Sequence, residues 1–350
     1  MHPRSQSRSQ FLPWLWPWPS VARPLVALLL LLTTALAAPL APAGSAAQAT
    51  PVPLLVDCAA GGATPIAAAP ATTAVFPLTT ADALGRTFTF TEPPQRIVSL
   101  IPSNTEILFA LGLGDRVVGV DVFSDFPAEA QEKPRVGDFL NPDLEGMVAA
   151  DPDLVLATAS HDASVLPALD RLGIPALAIE PTNLGQVLAD IERIAAIAGV
   201  PERGRALACD LAERIAAVEA AVAGAERPRV FFEISTDLYT AGPGSFIDDL
   251  ISRAGGANVA ADAAIAWPQL SAEAVVAADP EVILLVDQEA GATPETVAAR
   301  PGWGQIAAVR NGRVVNLAPD PVVRPGPRLV DGLEEMARVL HPDRFPEAGA

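Results

Sequence analysis

Short apolar runs of four to six residues punctuate the chain. Between them lie longer segments whose apolar positions recur every three or four residues. The runs RIVSL (96–100), VVGVD (117–121), LVLAT (154–158) and ALAIE (176–180) are strand-like, with helical segments between them. Asn104 is placed to cap one such helix, which Gly112 stops. Strand and helix in alternation predict a mainly parallel sheet covered by helices. The theme restarts at RVFFEI (229–234). In between, residues 183–224 read as helix throughout. Val187, Leu188, Ile191, Ile194 and Ala195, then Leu207, Leu211, Ile215 and Val218, share a stripe broken only by Gly199 and Pro201. At full helical rise that segment reaches about 60 Å, enough to bridge two lobes even with a kink. The chain therefore divides into an N-terminal α/β lobe (76–182), an interlobe helix (183–224) and a C-terminal α/β lobe (225–345). DALGRTFTF (82–90) forms a short strand or hairpin at the entry.

The two lobes share a phrase. MVAADPDLVLAT begins at Met147, and VVAADPEVILLV begins at Val275, 128 positions later. At that offset Phe139 falls on Trp267, Asp143 on Ser271, Glu145 on Glu273 and Asp151 on Asp279. Asp143 and Ser271 are good N-caps, so each glutamate occupies a first helical turn. Met147 and Val148, matched by Val275 and Val276, face the core. Asp-Pro then ends each helix, because proline pushes the residue before it out of the α region. Phe139 and Trp267 each precede a helix, in a loop. They either line facing walls of a cleft or pack on their own helix starts. The glutamates either complement the helix dipole, an effect of about 0.3–1 kcal/mol, or dock on a partner.

Residues 38–75 have almost no charge or large apolar residues, and 50–75 reads as a disordered Ala/Pro-rich linker. Residues 1–49 read as an export signal: Arg4, Arg8 and Arg23, an apolar run from Leu25 to Leu36, then Ala47-Gln48-Ala49 as a cleavage pattern. Retention of the run as an anchor is the alternative. Two cysteines remain, Cys58 and Cys209, and their pairing is open. Asp57 before Cys58, and its distance from Leu36, argue against lipid attachment. A formal net charge of −18 with one lysine, Lys133, excludes a nucleic-acid backbone binder.

Catalytic motifs are missing. His2, His161 and His341 are too scattered for a histidine metal site. No phosphate-binding loop, nucleophile elbow or dinucleotide fingerprint occurs. Asp248 and Asp249, on a helical stretch, read as solvated. An exported two-lobed α/β chain without a nucleophile and base fits a binder better than an enzyme; an exported hydrolase on the same scaffold is the alternative of another class. Asp320, Arg324 and Arg328 sit in a Pro/Gly-rich turn leading into a helix. Such a turn either holds an anion or braces itself through Arg–Asp pairs.

RIVSLIPSNTEILFALGLGDRVVGVDVFSDFP, LYTAGPGSFIDDLISRAGGANV, WPQLSAEAVVAADPEVILL and RPGPRLVDGLE together resemble the periplasmic binding proteins of ABC importers for cobalamin, ferric siderophores and haem, over about residues 80–345. The resemblance implies two Rossmann-like lobes joined by one rigid helix. It implies an exported, periplasmic or cell-surface monomer working with an ABC permease and its ATPase. Glu145 and Glu273 would dock on permease arginines. The chain looks most similar to cobalamin binders, so Ser103, Phe123, Phe139, Tyr239 and Trp267 would line the pocket, and Asp320 and Arg324 would supply polar contacts. No cofactor is expected; the ligand is a metal chelate. Phe123 and Phe139 stand where relatives often carry Tyr and Trp. Haem would take Tyr239 or His161 as axial ligand, and a ferric siderophore would meet Arg324 and Arg328.

Overall fold

The computed structural model describes Cys58 and residues 75–345, all within one compact unit spanning Gln48–Ala350. The expected export signal (1–49) and all of the expected linker (50–75) except Cys58 and Val75 lie outside the described residues. A hairpin of β1 (Leu78–Ala81) and β2 (Thr87–Phe90) opens the fold. Asp82 closes its turn, accepting from the Leu84 and Arg86 main-chain N–H groups at 3.0 and 2.9 Å. Next come β3 (Ile97–Ser99), α1 (Pro102–Ala110), β4 (Val117–Val120), α2 (Leu144–Ala149), β5 (Leu154–Ala157), α3 (Leu166–Arg171) and β6 (Ala176–Ala178). Helices α4 (Leu184–Ile197) and α5 (Pro201–Val222) follow. The second lobe holds β7 (Arg229–Glu233), α6 (Phe246–Arg253), β8 (Ala257–Asn258), α7 (Ala272–Ala278), β9 (Val282–Leu285), α8 (Pro294–Ala298), α9 (Ala307–Arg310) and β10 (Val314–Asn316). Helices α10 (Pro319–Val323) and α11 (Leu329–Leu340) close the chain.

Both sheets are parallel and share one topology. The first runs β4-β3-β5-β6 and the second β8-β7-β9-β10, so each has the order 2-1-3-4. Alternation along the strands sorts side chains to two cores. Ile97, Leu154, Leu156 and Leu177 face inward with Val230, Phe232, Val282 and Leu284 of the other lobe, and Leu207, Leu211, Ile215, Val218 and Val222 of α5 join them into one continuous core. The opposite sheet faces carry separate clusters around Met147 and Leu166, and around Phe231 and Trp303.

The 128-residue offset holds for the helix–strand pair of the repeat. Helix α2 maps onto α7 and β5 onto β9, and Asp143 and Ser271 each accept from the N–H three residues on, at 3.0 and 3.1 Å. Met147 and Val275 are fully buried, but Val148 is exposed. These helices have only two turns and a narrow inner face. Asp151 and Asp279 leave the helix through left-handed backbone, φ 48° and 42°, rather than the extended region that a following proline favours. A reciprocal lock accompanies this turn in each lobe. Arg96 donates to the carbonyls of Asp151 and Ala150, while Asp153 accepts from the Arg96 N–H. Arg229 donates to the Asp279 carbonyl, while Glu281 accepts from the Arg229 N–H.

The segment 183–224 is not one helix. Gly199, at φ 76°, and Pro201 reverse the chain, and α4 folds back on α5. The approach is close: a Cβ on Gly204 would lie 2.4 Å from that of Ala195. The longer of the two, α5, has 22 residues and a length of about 33 Å, and its apolar face joins the core shared by both lobes. The apolar stripe runs through both helices because both are buried, which is why the pattern reads as continuous. Two other local expectations also change. Helix α1 starts at Pro102, whose fixed φ suits N1, so Asn104 is inside it and donates to the Ala157 carbonyl instead. Asp249 is buried, not solvated: it accepts from Arg253 and from the Leu184 N–H at the start of α4, at 2.8 and 2.9 Å.

Cys58 and Cys209 form a disulfide, so a position in the linker is stapled to α5. The Cys58 sulfur is thereby engaged, in line with the argument against lipid attachment. Cys58→Ser, or a reductant, should lower the unfolding free energy by about 2–4 kcal/mol. Guanidinium titrations with and without reductant measure this.

Candidate functional site

In a parallel sheet of order 2-1-3-4 the loops diverge after strands 1 and 3, and that crevice is where such sheets hold ligands. Here it lies beyond β3 and β5 in one lobe and beyond β7 and β9 in the other. Contacts across the seam bring the two carboxyl edges together. Arg324, after β10, reaches Asp125, after β4, at 2.6 Å. Arg328 binds Glu106 of α1 at 2.9 and 2.6 Å. A Cβ on Gly326 would lie 3.2 Å from the Ser103 carbonyl oxygen.

Loop pairing within each lobe groups the aromatic candidates. In the first, the main chain of 120–122 bonds to that of 134–137, which holds Phe123 and Phe139 on neighbouring segments. In the second, Thr240 and Gly242 donate to the carbonyls of Pro268 and Ala266, and Tyr239 opposes Gln269. Gly242 is required there, since a Cβ would meet the Ile265 oxygen at 2.5 Å. Trp267 stays 43% exposed, although it meets the Phe246 ring edge-on at 5.7 Å. Phe123 is 37% exposed; Phe139 and Tyr239 are half-buried. Val122, Leu140 and Ile265 are exposed beside them. Ser103 differs: it is buried under Gly326 and belongs to the seam rather than to this wall.

His161 is not placed to be a metal ligand. It is 1% exposed, beneath the Phe139 ring at 5.1 Å. Its Nδ1 accepts from the Thr158 N–H at 3.3 Å, which puts the proton on the buried Nε2. Burial pushes its pKa down, against the opposing pull of the Phe139 main chain. His161 is a neutral prop for Phe139.

The seam carries an ion cluster that periodicity could not have paired. Arg324 also reaches Asp320 at 3.0 Å and Glu106 at 3.5 Å. Arg328 lies over the Phe126 ring at 4.0 Å and 3.7 Å from Asp320. Burial pushes Asp125 upward, but its hydrogen bond with Arg324 and the arginine's charge hold it below the ordinary aspartate range. The bracing role of Arg324 and Asp320 therefore exists, and it extends across the lobes. Beside it Ser99, Thr105, Ser124 and Asp121 form a buried hydroxyl chain ending on a carboxyl that burial pushes up. A cavity of about 230 Å³ between Phe109, Phe126, Pro127, Pro327 and Arg328 draws on both lobes. That is below the roughly 300 Å³ of small-molecule pockets.

Across the second lobe's edge, Arg300 forks onto Glu233 at 2.6 and 2.5 Å, with Asp287 buried alongside. Sequence reading missed this group. A glutamate closing the apolar run RVFFEI was the available signal. Glu145 and Glu273 are exposed in the first turns of α2 and α7, and neither forms an ion pair among the described residues. The Glu273 and Ser271 groups at that helix start hold the Glu273 carboxyl below its ordinary range.

Residues 97–321 match the periplasmic binding protein family. A Bacillus subtilis protein named as an uncharacterized ABC transporter substrate-binding lipoprotein is 36% identical, over 79% of this chain and 89% of its own length. The crystal structure of the Vibrio cholerae periplasmic vitamin B12 binding protein superposes with a TM-score of 0.65 at 29% identity, over 73% of this chain and 99% of that one. A periplasmic haem-binding protein from Roseiflexus gives 0.65 at 32% identity, over 71% and 99%. These are binding proteins rather than enzymes, and they carry the same two-lobed plan. The chain belongs to the periplasmic binding protein family, whose ABC-transporter substrate-binding members it matches over most of its length.

Proposed function

We propose that the protein is the extracytoplasmic binding subunit of an ABC importer, and that it captures a corrinoid such as cobalamin between its lobes. Glu145 and Glu273, one on each lobe, dock on the permease, which works with its ATPase. The observation that carries the reading is the exposed apolar wall at both carboxyl edges: Val122, Phe123 and Leu140 on one side, Ile265 and Trp267 on the other. Exposed large apolar groups gathered at loop ends mark a binding surface. With Phe139 and Tyr239, they suit a bulky, partly apolar macrocycle that needs few polar anchors. Haem or a ferric siderophore is the second reading, and Tyr239, half-buried on the second lobe's edge, is the side chain that favours haem.

The test is retention of colour. Purified protein mixed with cyanocobalamin, haemin or a ferric hydroxamate, then desalted, should keep the corrinoid spectrum. A hydrolase on the same scaffold would keep none and would turn over a screening substrate. Trp267→Ala should weaken cyanocobalamin binding by more than about tenfold, the loss of a large aromatic contact. Its melting temperature should barely change, because the side chain is already exposed. Unaltered affinity would return Trp267 to a packing role against Phe246.

A further inference from the structure

Arg324 and Arg328 reach the seam from the segment joining α10 to α11, and both are already engaged. Arg324 touches Asp125, Asp320 and Glu106 at 2.6, 3.0 and 3.5 Å. Arg328 holds both oxygens of Glu106 and approaches Asp320. Three carboxylates therefore face two guanidiniums. The Glu106 side chain is only 2% exposed, so it cannot trade its arginines for water. An anionic ligand seeking Arg324 would displace these carboxylates and then lie against them. Two other cations adjoin this group: Lys133 lies over the Phe109 ring at 6.0 Å, and the Arg135 charge acts on the Asp121 carboxyl. Arg135 directs its hydrogen bonds to the carbonyls of Asp121 and Ser124. His161 is buried and neutral, and Arg300 is enclosed by Glu233 and Asp287.

We infer that this seam selects its ligand by charge, admitting neutral or cationic chelates and turning away those with free carboxylates or catecholates. The inference rests on reading the cleft as a chelate site. Its physical basis is that like charges set side by side across an interface oppose association, while the attractive arginines are already neutralised.

The experiment is an equilibrium titration of the full chain with four chelates: cyanocobalamin (neutral), a ferrioxamine-type ferric hydroxamate (cationic), haemin (two propionates) and a ferric triscatecholate (anionic). At least one of the first two should bind about tenfold or more tighter than either anion. Asp125→Asn removes an exposed carboxylate from Arg324 and should raise the ratio of haemin to cyanocobalamin affinity by about tenfold. Haemin or the triscatecholate binding as tightly as the best neutral or cationic chelate overturns the charge selection while leaving the chelate-binding reading intact. An unchanged ratio in Asp125→Asn does the same. Failure of all four to bind overturns both.

Discussion

Protein carrying Glu145→Arg and Glu273→Arg together should bind its ligand with unchanged affinity and support no uptake above background. Both carboxylates are exposed, lie in first helical turns and have no ionic partner among the described residues. Replacing them leaves the cores untouched, and at these exposed helix starts only the favourable dipole interaction is given up. At a docking surface the reversal sets like charges against each other, which costs several kcal/mol. The single variants should show intermediate uptake, because each lobe contributes one contact. Uptake assays in cells paired with titration of purified protein make the comparison. Collapse of ligand binding would move these residues from the docking surface into the ligand site. Normal uptake in the double variant would leave them with the dipole role alone.

Arg300→Gln should cost about 3–5 kcal/mol of stability at pH 8, the range for removing one partner of a buried ion pair. Glu233 is fully buried, and both of its oxygens depend on the Arg300 fork. Asp287 is almost as deep, and neither of its oxygens has a hydrogen-bond partner. Burial, and then the charge on Glu233, push the Asp287 pKa up to about 7. In the folded wild type Asp287 thus binds a proton that the unfolded chain releases near its ordinary value of about 4. The folded state holds more protons between these limits, so this group's contribution to stability is complete below about pH 4 and is lost as pH rises through about 7. The Arg300 charge holds the Asp287 pKa down, so its loss matters most where Asp287 is ionised, and the penalty of Arg300→Gln should shrink at pH 5. Urea titrations at the two pH values measure it. A cost under about 1 kcal/mol, or one independent of pH, would show that water or another group can replace the guanidinium. Arg300→Gln with Glu233→Gln should recover most of the loss, because it removes the stranded charge as well.

The elements were legible because their signals are short-range. Asp143 and Ser271 cap the helices that their sequence positions implied, and β5 and β9 follow at the repeat offset. Ser245 caps α6 in the same way, accepting from the Asp248 N–H at 3.1 Å. The break between α4 and α5 was visible at Gly199 and Pro201, but its angle was not. A buried hairpin and a kinked rod present the same stripe, and the choice depends on what else the stripe can cover. Glycine at 204 allows the close approach that makes the hairpin the better cover. At the site, Phe139, Tyr239, Trp267 and Phe123 could be named one at a time from motifs. Their pairing within each lobe comes from main-chain bonds between loops that no local pattern encodes. His161 stood at a strand end, where ligands are expected, yet the fold sets Phe139 over it.

Periodicity, caps and chain breakers thus determined, without reference to anything distant, that this is a doubled α/β chain with matched helix starts bearing Glu145 and Glu273. Each such signal acts within a few residues, where the backbone's own hydrogen bonding and sterics decide. Which charges meet was left to the tertiary structure. Arg328 finds Glu106 across 222 residues of chain, and Arg324 finds Asp125 across 199. Those partnerships exist only once α5 and the shared core hold the two carboxyl edges face to face. Coulomb energy and desolvation depend on the final distance and burial of each group, and neither quantity is written in the spacing of residues along the chain.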